Sequence, residues 1–142
     1  GWVKGVGLEV PGVDVLHSRL GKTLPLNKQE DEEGGNPNDP IADRQIKAWS
    51  PDDNLSPRAY PTRLVTSGLY DSRVPYWEAA KYVARLRTVN RDPSSKILLA
   101  TNMQAGHGGH AGRYSRLEDS AQAFSFLIHF YNKNSQTPGA PR

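Results

Sequence analysis

The sequence predicts an α/β fold, with about three parallel strands and helices that flank them. Three short runs rich in β-formers each end in a turn, and a helix-length amphipathic segment separates the second run from the third. Strands that alternate with helices in this way favour a parallel sheet with crossover connections. The predicted strands cover residues 3–10, 62–68 and 96–102.

The first part of the chain is predicted to contain one strand, one short helix and two polar loops. Residues 3–10 close at a Pro-Gly pair, which indicates a strand that ends in a turn. Residues 27–40 combine an acidic run with Gly, Asn and Pro, a composition that disfavours regular structure. A helix is predicted over residues 41–49, with Asp39 as its N-cap and Pro40 in its first turn. Its apolar residues that are predicted to face inward are Ile41, Ile46 and Trp49.

The second part alternates two strands with two predicted helices, over residues 76–87 and 116–131. In both helices apolar residues recur at helical spacing, which indicates one buried face each. The polar, Pro- and Gly-rich residues 132–142 are predicted to form a disordered tail after a domain over residues 1–131. The predicted inward faces are Trp77, Ala80, Val83 and Ala84 in the first helix, and Leu117, Ala121, Phe124, Leu127, Ile128 and Tyr131 in the second.

Composition excludes several classes of protein. The 142 residues suffice for one modest domain, but 36% hydrophobic content and a mean hydropathy of −0.68 are low for a self-contained α/β core. A net charge of +3, with scattered Lys and Arg, does not predict a nucleic-acid partner. The chain has no cysteine for disulfides or thiolate metal sites, and no apolar run near the roughly 20 residues of a membrane span. It has neither an initiator methionine nor a secretory signal, so we expect a truncated sequence from a cytoplasmic protein.

Two candidate catalytic side chains follow the second and third predicted strands. Asp71 lies in the segment GLYDSRV, and His107 lies in AGHGG, 36 positions later. Because the carboxyl ends of parallel strands meet at one edge of a sheet, we expect the two residues to lie together. An acid followed by a histidine is the order of the last two members of a Ser…Asp…His triad. Each residue alone is more typical of a turn-forming Asp or of a solvated loop His.

The nucleophile of such a triad is missing from these residues. No serine lies in a G-x-S-x-G pattern, so a triad serine has to lie upstream of Gly1. The spacing of His107 and His110 also fits a metal pair, but no third ligand lies at a suitable spacing, and we expect no metal or cofactor. The acidic residues 30–33 are typical of a solvated loop, although carboxylates in a loop can also bind a basic side chain.

Several segments together resemble the C-terminal part of the prolyl oligopeptidase family of serine peptidases, and within it the oligopeptidase B branch. The resemblance covers the chain from about residue 3 to residue 131, and the combination of GLYDSRVPYWE with AGHGG is its most specific part. The similar segments are VPGVDVL (10–16), PLNKQEDEEGGNPND (25–39), SPDDN (50–54), residues 60–87 and LLATNMQAGHGGHAGRY (98–114).

The resemblance implies that the chain is the last three-strand portion of an α/β-hydrolase catalytic domain. It implies that Asp71 is the triad acid and His107 the general base. Arg73 matches an arginine that binds the substrate backbone near the cleaved bond. Glu30 and Glu32 match two carboxylates that hold a Lys or Arg side chain of the substrate. The implied activity is hydrolysis of short peptides after Lys or Arg, without a cofactor.

The chain also departs from this family pattern. Gly34 stands where the family usually has an aromatic residue, and Gln29 replaces a glycine before the first glutamate. The serine elbow, the oxyanion-hole tyrosine and the β-propeller are absent, so an N-terminal part of the catalytic domain and the propeller are the implied partners. Two alternatives stay open: a prolyl-specific peptidase of the same family, and a non-catalytic fragment or interaction module that keeps the fold.

Overall fold

The structure is a computed structural model that describes residues 3–21, 31–32, 34–109 and 114–135. Strands and helices follow the predicted order, with one additional short helix after the first strand. The elements in chain order are β1 (Gly5–Glu9), α1 (Val15–Leu20), α2 (Pro40–Trp49), β2 (Thr62–Gly68), α3 (Tyr76–Val89), β3 (Ile97–Asn102) and α4 (Ser115–Ser135).

The three strands form one parallel sheet in the order β1-β2-β3, so β2 is the central strand. Val65 of β2 lies opposite Leu8 of β1 and Leu99 of β3 in the register. The predicted parallel sheet is therefore confirmed. Because all three strands point the same way, the turns after β2 and β3 emerge at the same edge of the sheet.

The main core lies between one face of this sheet and α3. Val65 is fully buried against α3, and Leu86 and Val83 of that helix are 0% and 1% exposed. On the other face α4 packs near β1, since a Cβ atom at Gly5 would lie 3.9 Å from Phe126 and Phe130. Helices on both faces are what a buried parallel sheet requires. The buried residues of the core cluster are Val13, Tyr60, Val65, Ala79, Tyr82, Val83, Leu86 and Ile97.

The short helix α2 begins as the sequence predicts. The Asp39 carboxylate accepts a hydrogen bond from the N–H of Ile41 at 2.9 Å, and Pro40 occupies the first turn. The predicted inward face is only partly correct, because Ile46 is fully buried while Ile41 and Trp49 are 60% and 56% exposed. The helix buries a narrow stripe of Ala42 and Ile46, four residues apart, and the other two side chains point away from that stripe.

The predicted buried faces of α3 and α4 also need correction. In α3 Val83 is buried as predicted, but the rest of the buried face consists of Glu78, Ala79, Tyr82 and Leu86. In α4 Phe126 is buried at 8% exposure, whereas every residue of the predicted stripe is exposed. The contact with β1 uses the face around Phe126, and the predicted stripe lies on a different side. The exposed stripe consists of Leu117, Ala121, Phe124, Leu127, Ile128 and Tyr131.

Helix α4 also runs further than predicted. It continues to Ser135, so residues 132–135 are helical and do not belong to a disordered tail. Residues 136–142 lie outside the described residues. In the part of the chain that the structure describes, no helix combines the length and the apolar character that crossing a bilayer requires.

Candidate active site

Asp71 lies in the turn that leads from β2 into α3. Its Oδ1 accepts hydrogen bonds from the backbone N–H groups of Arg73 at 2.8 Å and Val74 at 2.9 Å. The side chain has no exposed surface. A buried carboxylate is stable only when its oxygens are paired, and these two N–H donors fix the orientation of the group. The second oxygen, Oδ2, is thereby turned towards the loop after β3.

His107 lies in that loop and meets the Asp71 carboxylate. Its Nδ1 is 3.0 Å from Oδ2 and 3.2 Å from Oδ1 of Asp71. The histidine side chain is 39% exposed, in contrast to the buried acid. With Nδ1 donating to the carboxylate, Nε2 is the ring nitrogen that can accept a proton from a reacting group. The two side chains that sequence reasoning selected are thus brought together, as expected.

Backbone contacts hold the two loops against each other. The N–H of Leu69 donates to the carbonyl of Asn102 at 2.9 Å, and the N–H of Tyr70 donates to that of Ala105 at 3.0 Å. At Gly68 the loops approach so closely that a Cβ atom would lie 2.7 Å from the carbonyl oxygen of Ala105. The loops that carry the acid and the histidine are therefore held side by side at the edge of the sheet.

A cavity of about 830 Å³ opens beside His107. The carboxyl ends of the strands form one side of it, and the early turns of α4 form another. The described residues that line it include three carboxylates, which favour positive charge in the cavity. These are Glu9, Glu118 and Asp119.

The other predicted site residues are placed less closely. Arg73 is exposed, and its backbone N–H donates a hydrogen bond to the Asp71 carboxylate. Glu32 is exposed between α1 and α2, where residues 31, 32 and 34 are helical although irregular structure was predicted, and none of the described hydrogen bonds or ion pairs joins it to Asp71 or His107. Glu30 lies outside the described residues, as do Gln29 and His110.

Sequence reasoning missed Glu78, a buried residue in the first turn of α3 that joins this helix to α1. This residue is 3% exposed, and its Oε2 accepts from the N–H groups of Val13 at 2.9 Å and Asp14 at 3.0 Å. Its Oε1 accepts from the hydroxyl of Ser18. Glu78 thus ties the start of α1 to the first turn of α3, directly after the Asp71 turn. The only signal in the sequence was its place in the first turn of a helix, where acidic residues are common on exposed faces as well.

A second cluster of titratable groups joins α1 to α3. Asp14, His17 and Asp53 present side-chain atoms within 4.8 Å of one another. Asp14 is buried, accepts from Lys81, and lies 2.6 Å from Nδ1 of His17. Because the Lys81 ammonium already balances the buried carboxylate, this arrangement is an ion-pair cluster between two helices.

The chain is similar to known proteins in both sequence and structure. The model of the "Prolyl oligopeptidase family" matches residues 4–134. The chain is 45% identical over 119 residues to "Dipeptidyl aminopeptidase BI" of Pseudoxanthomonas mexicana, covering 84% of this chain and 16% of that protein. It is 40% identical over 119 residues to "Protease 2" of Moraxella lacunata, covering 84% of this chain and 17% of the relative.

Solved structures of similar proteins agree with this match. Oligopeptidase B from Leishmania major superposes with a TM-score of 0.79 at 40% identity, covering 85% of this chain and 17% of that one. Oligopeptidase B from Trypanosoma brucei, with covalently bound antipain, gives a TM-score of 0.83 at 35% identity, covering 89% and 18%. The predicted fold class, a portion of an α/β-hydrolase domain, is confirmed. The chain spans less than a fifth of the length of these relatives.

Proposed function

Because the chain belongs to the prolyl oligopeptidase family of serine peptidases, we propose that it forms the acid and base portion of a serine oligopeptidase. The family acts on peptides, so the coarse activity is peptide hydrolysis. The observation that carries the finer proposal is the pairing of His107 Nδ1 with the buried Asp71 carboxylate at 3.0 Å. The nucleophilic serine and the rest of the catalytic domain are supplied by the part of the parent protein that precedes these residues.

In the proposed mechanism Asp71 holds the His107 ring with Nε2 facing the reacting groups. His107 takes the proton of the serine hydroxyl as the serine oxygen attacks the substrate carbonyl, and Asp71 stabilises the imidazolium that forms. His107 then donates this proton to the leaving amine, and the C–N bond breaks to leave an acyl-serine. In the second half of the reaction, water that His107 deprotonates attacks the acyl carbonyl. His107 then returns this proton to the serine oxygen as the ester C–O bond breaks and the acid product leaves. His107 lines the cavity, which gives substrate access to this residue.

His107→Ala in the full-length parent tests this mechanism. We expect kcat/KM to fall by about four to six powers of ten, since the members of a triad act as a unit. His129→Ala is the matched control, because His129 is an exposed histidine on α4 whose ring contacts Phe130. Peptidase activity that survives His107→Ala within tenfold of the parent would overturn the assignment.

We propose cleavage after Lys or Arg as the specificity. Glu30 and Glu32 are assigned to the basic side chain of the substrate, and Arg73 to a substrate carbonyl near the cleaved bond. The exposed positions of Glu32 and Arg73 leave both side chains accessible to a peptide. The relatives named oligopeptidase B support this choice over a prolyl-specific enzyme, because they are among the more similar solved structures.

Removal of the two glutamate charges separates these specificities. In the full-length parent, Glu30→Gln with Glu32→Gln should lower kcat/KM for cleavage after Arg by at least about tenfold, since a charge-assisted contact is lost. Cleavage after proline by the same double variant should not change if the parent shows any. An unchanged rate after Arg would favour the prolyl-specific alternative. The isolated chain is proposed to be inactive, because it lacks a serine elbow.

A further inference from the structure

Arg19 is a buried cation on α1. It faces residues 31, 32, 34 and 35, which we call the acidic turn. Its side chain is only 6% exposed. A guanidinium that is withdrawn from water needs partners of opposite charge or strong acceptors, because its desolvation is otherwise costly. Arg19 finds such partners in the acidic turn.

These contacts join the two ends of the turn. Nη2 of Arg19 donates to the carbonyl of Gly35 at 2.9 Å and lies 3.5 Å from Oδ1 of Asp31. The turn is closed by the N–H of Gly35, which donates to the Asp31 carbonyl at 3.1 Å, and by a φ of +86° at Gly35. The guanidinium therefore lies against the turn as one of its structural parts.

Gly34 leaves the space that the guanidinium occupies. A Cβ atom built at this position would lie 2.7 Å from Nη1 and 3.3 Å from Nη2 of Arg19. A side chain at position 34 and the present position of the Arg19 guanidinium exclude each other. The glycine found at this position is thus the structural counterpart of the buried arginine.

The charge of Arg19 changes what the acidic turn offers to a ligand. Asp31 is 28% exposed at its side chain and Glu32 is exposed, so both carboxylates are accessible from solvent. The positive charge of Arg19 opposes the attraction of these carboxylates for a cation. A cation that approaches the turn from solvent is therefore held less strongly than it would be without the Arg19 charge.

We propose that Arg19 is a specificity-determining residue, whose positive charge beside Asp31 weakens the preference of the acidic turn for a cationic substrate side chain. The inference rests on the proposed function, in which this loop receives the Lys or Arg side chain of a peptide. The proposal predicts that the selectivity for basic substrates depends on the charge of Arg19 as well as on the carboxylates of the acidic turn.

The experiment compares two peptides in the full-length parent, one with Arg before the cleaved bond and one with its uncharged analogue citrulline. Arg19→Gln should raise the ratio of kcat/KM for Arg over citrulline by about three- to tenfold, the size expected for one partly solvated charge. The rise should come from a lower KM for the Arg peptide. Arg19→Lys keeps the charge and should leave the ratio within about twofold of the parent.

Two further variants keep the test decisive. Asp31→Asn removes a negative charge beside Arg19 and should lower the ratio by about three- to tenfold, whether or not Arg19→Gln folds. Arg44→Gln, which removes the same charge from the exposed face of α2, should leave it unchanged. If the parent prefers the Arg peptide strongly and neither Arg19→Gln nor Asp31→Asn changes this preference, the role of Arg19 is overturned while the proposed basic specificity stands. A ratio near one in the parent and in every variant overturns the proposed basic specificity as well.

Discussion

The two halves of the proposed acid–base pair are held in different ways. Asp71 is buried and receives two backbone N–H groups from its own turn, so its position is fixed by the local fold. His107 is 39% exposed, and Asp71 is the partner that the described hydrogen bonds give its ring. The acid is thus part of the packed structure, while the base is positioned by the acid and by a glycine-rich loop.

This difference shows how a site can be rigid and accessible at once. A general base has to meet substrate and exchange protons, so its reactive nitrogen cannot be buried in the protein. The ring of the base then has to be held in position by the group that is hydrogen-bonded to its other nitrogen. Here that group is a carboxylate in the turn between the central strand and α3, a helix that contributes four residues to the core cluster.

The largest effect is expected from Asp71→Asn in the full-length parent. The amide oxygen can still accept from Arg73 and Val74, so the turn should fold, but the amide cannot stabilise an imidazolium or hold the required tautomer. We expect kcat to fall by about 10⁴-fold, with a melting temperature close to that of the parent. Ser72→Ala, at the exposed neighbouring position, should leave both quantities unchanged. A loss below tenfold would show that His107 does not depend on this acid.

The support behind the acid is tested by Leu86→Ala. Leu86 is fully buried on α3, so its truncation should lower the free energy of unfolding by about 2–5 kcal/mol. Leu98→Ala on β3 is the matched control, because Leu98 is 40% exposed, and we expect a cost of less than about half as much. Chemical denaturation of the full-length parent and both variants measures the difference. Equal losses of unfolding free energy at Leu86 and Leu98 would contradict the view that α3, which follows the acid, is more tightly packed than the exposed face of β3, which precedes the base.

The sheet and its helices could be predicted from sequence with small errors at their ends. β2 was predicted at its observed bounds, because a short buried run between Pro-rich and Gly-rich turns leaves little choice. The meeting of Asp71 and His107 followed from parallel topology alone. Helix α1 was not predicted, since its six residues are stabilised by Glu78, a residue 60 to 65 positions away.

The inward faces of the helices were predicted less well. In α4 the apolar residues encircle much of the helix, so periodicity could not select the face around Phe126 that contacts β1. In α3 a buried glutamate lies on the inward face, where a hydropathy pattern predicts an apolar residue. The role proposed for Arg19 was not visible at all, because it depends on the space beside Gly34.

Gly68→Ala sharpens the comparison from the side of the base. The new Cβ atom would lie 2.7 Å from the Ala105 carbonyl oxygen and 3.1 Å from that of Gly106, and both atoms belong to the backbone. The histidine loop has to shift while the Asp71 turn keeps its own hydrogen bonds. We expect a loss of about 10- to 100-fold in kcat/KM, the size that a misplacement near 1 Å produces.

Gly7→Ala on β1 is the control for this variant, because a Cβ atom there meets nothing within 4 Å. The loss for Gly68→Ala should exceed the accompanying loss of stability, and this separates displacement of the base from general unfolding. Full activity in the folded Gly68→Ala protein would mean that the loop of His107 adapts without moving the ring. In that case the position of the base would be set by Asp71 alone, and the tie between the two loops would have no part in holding it.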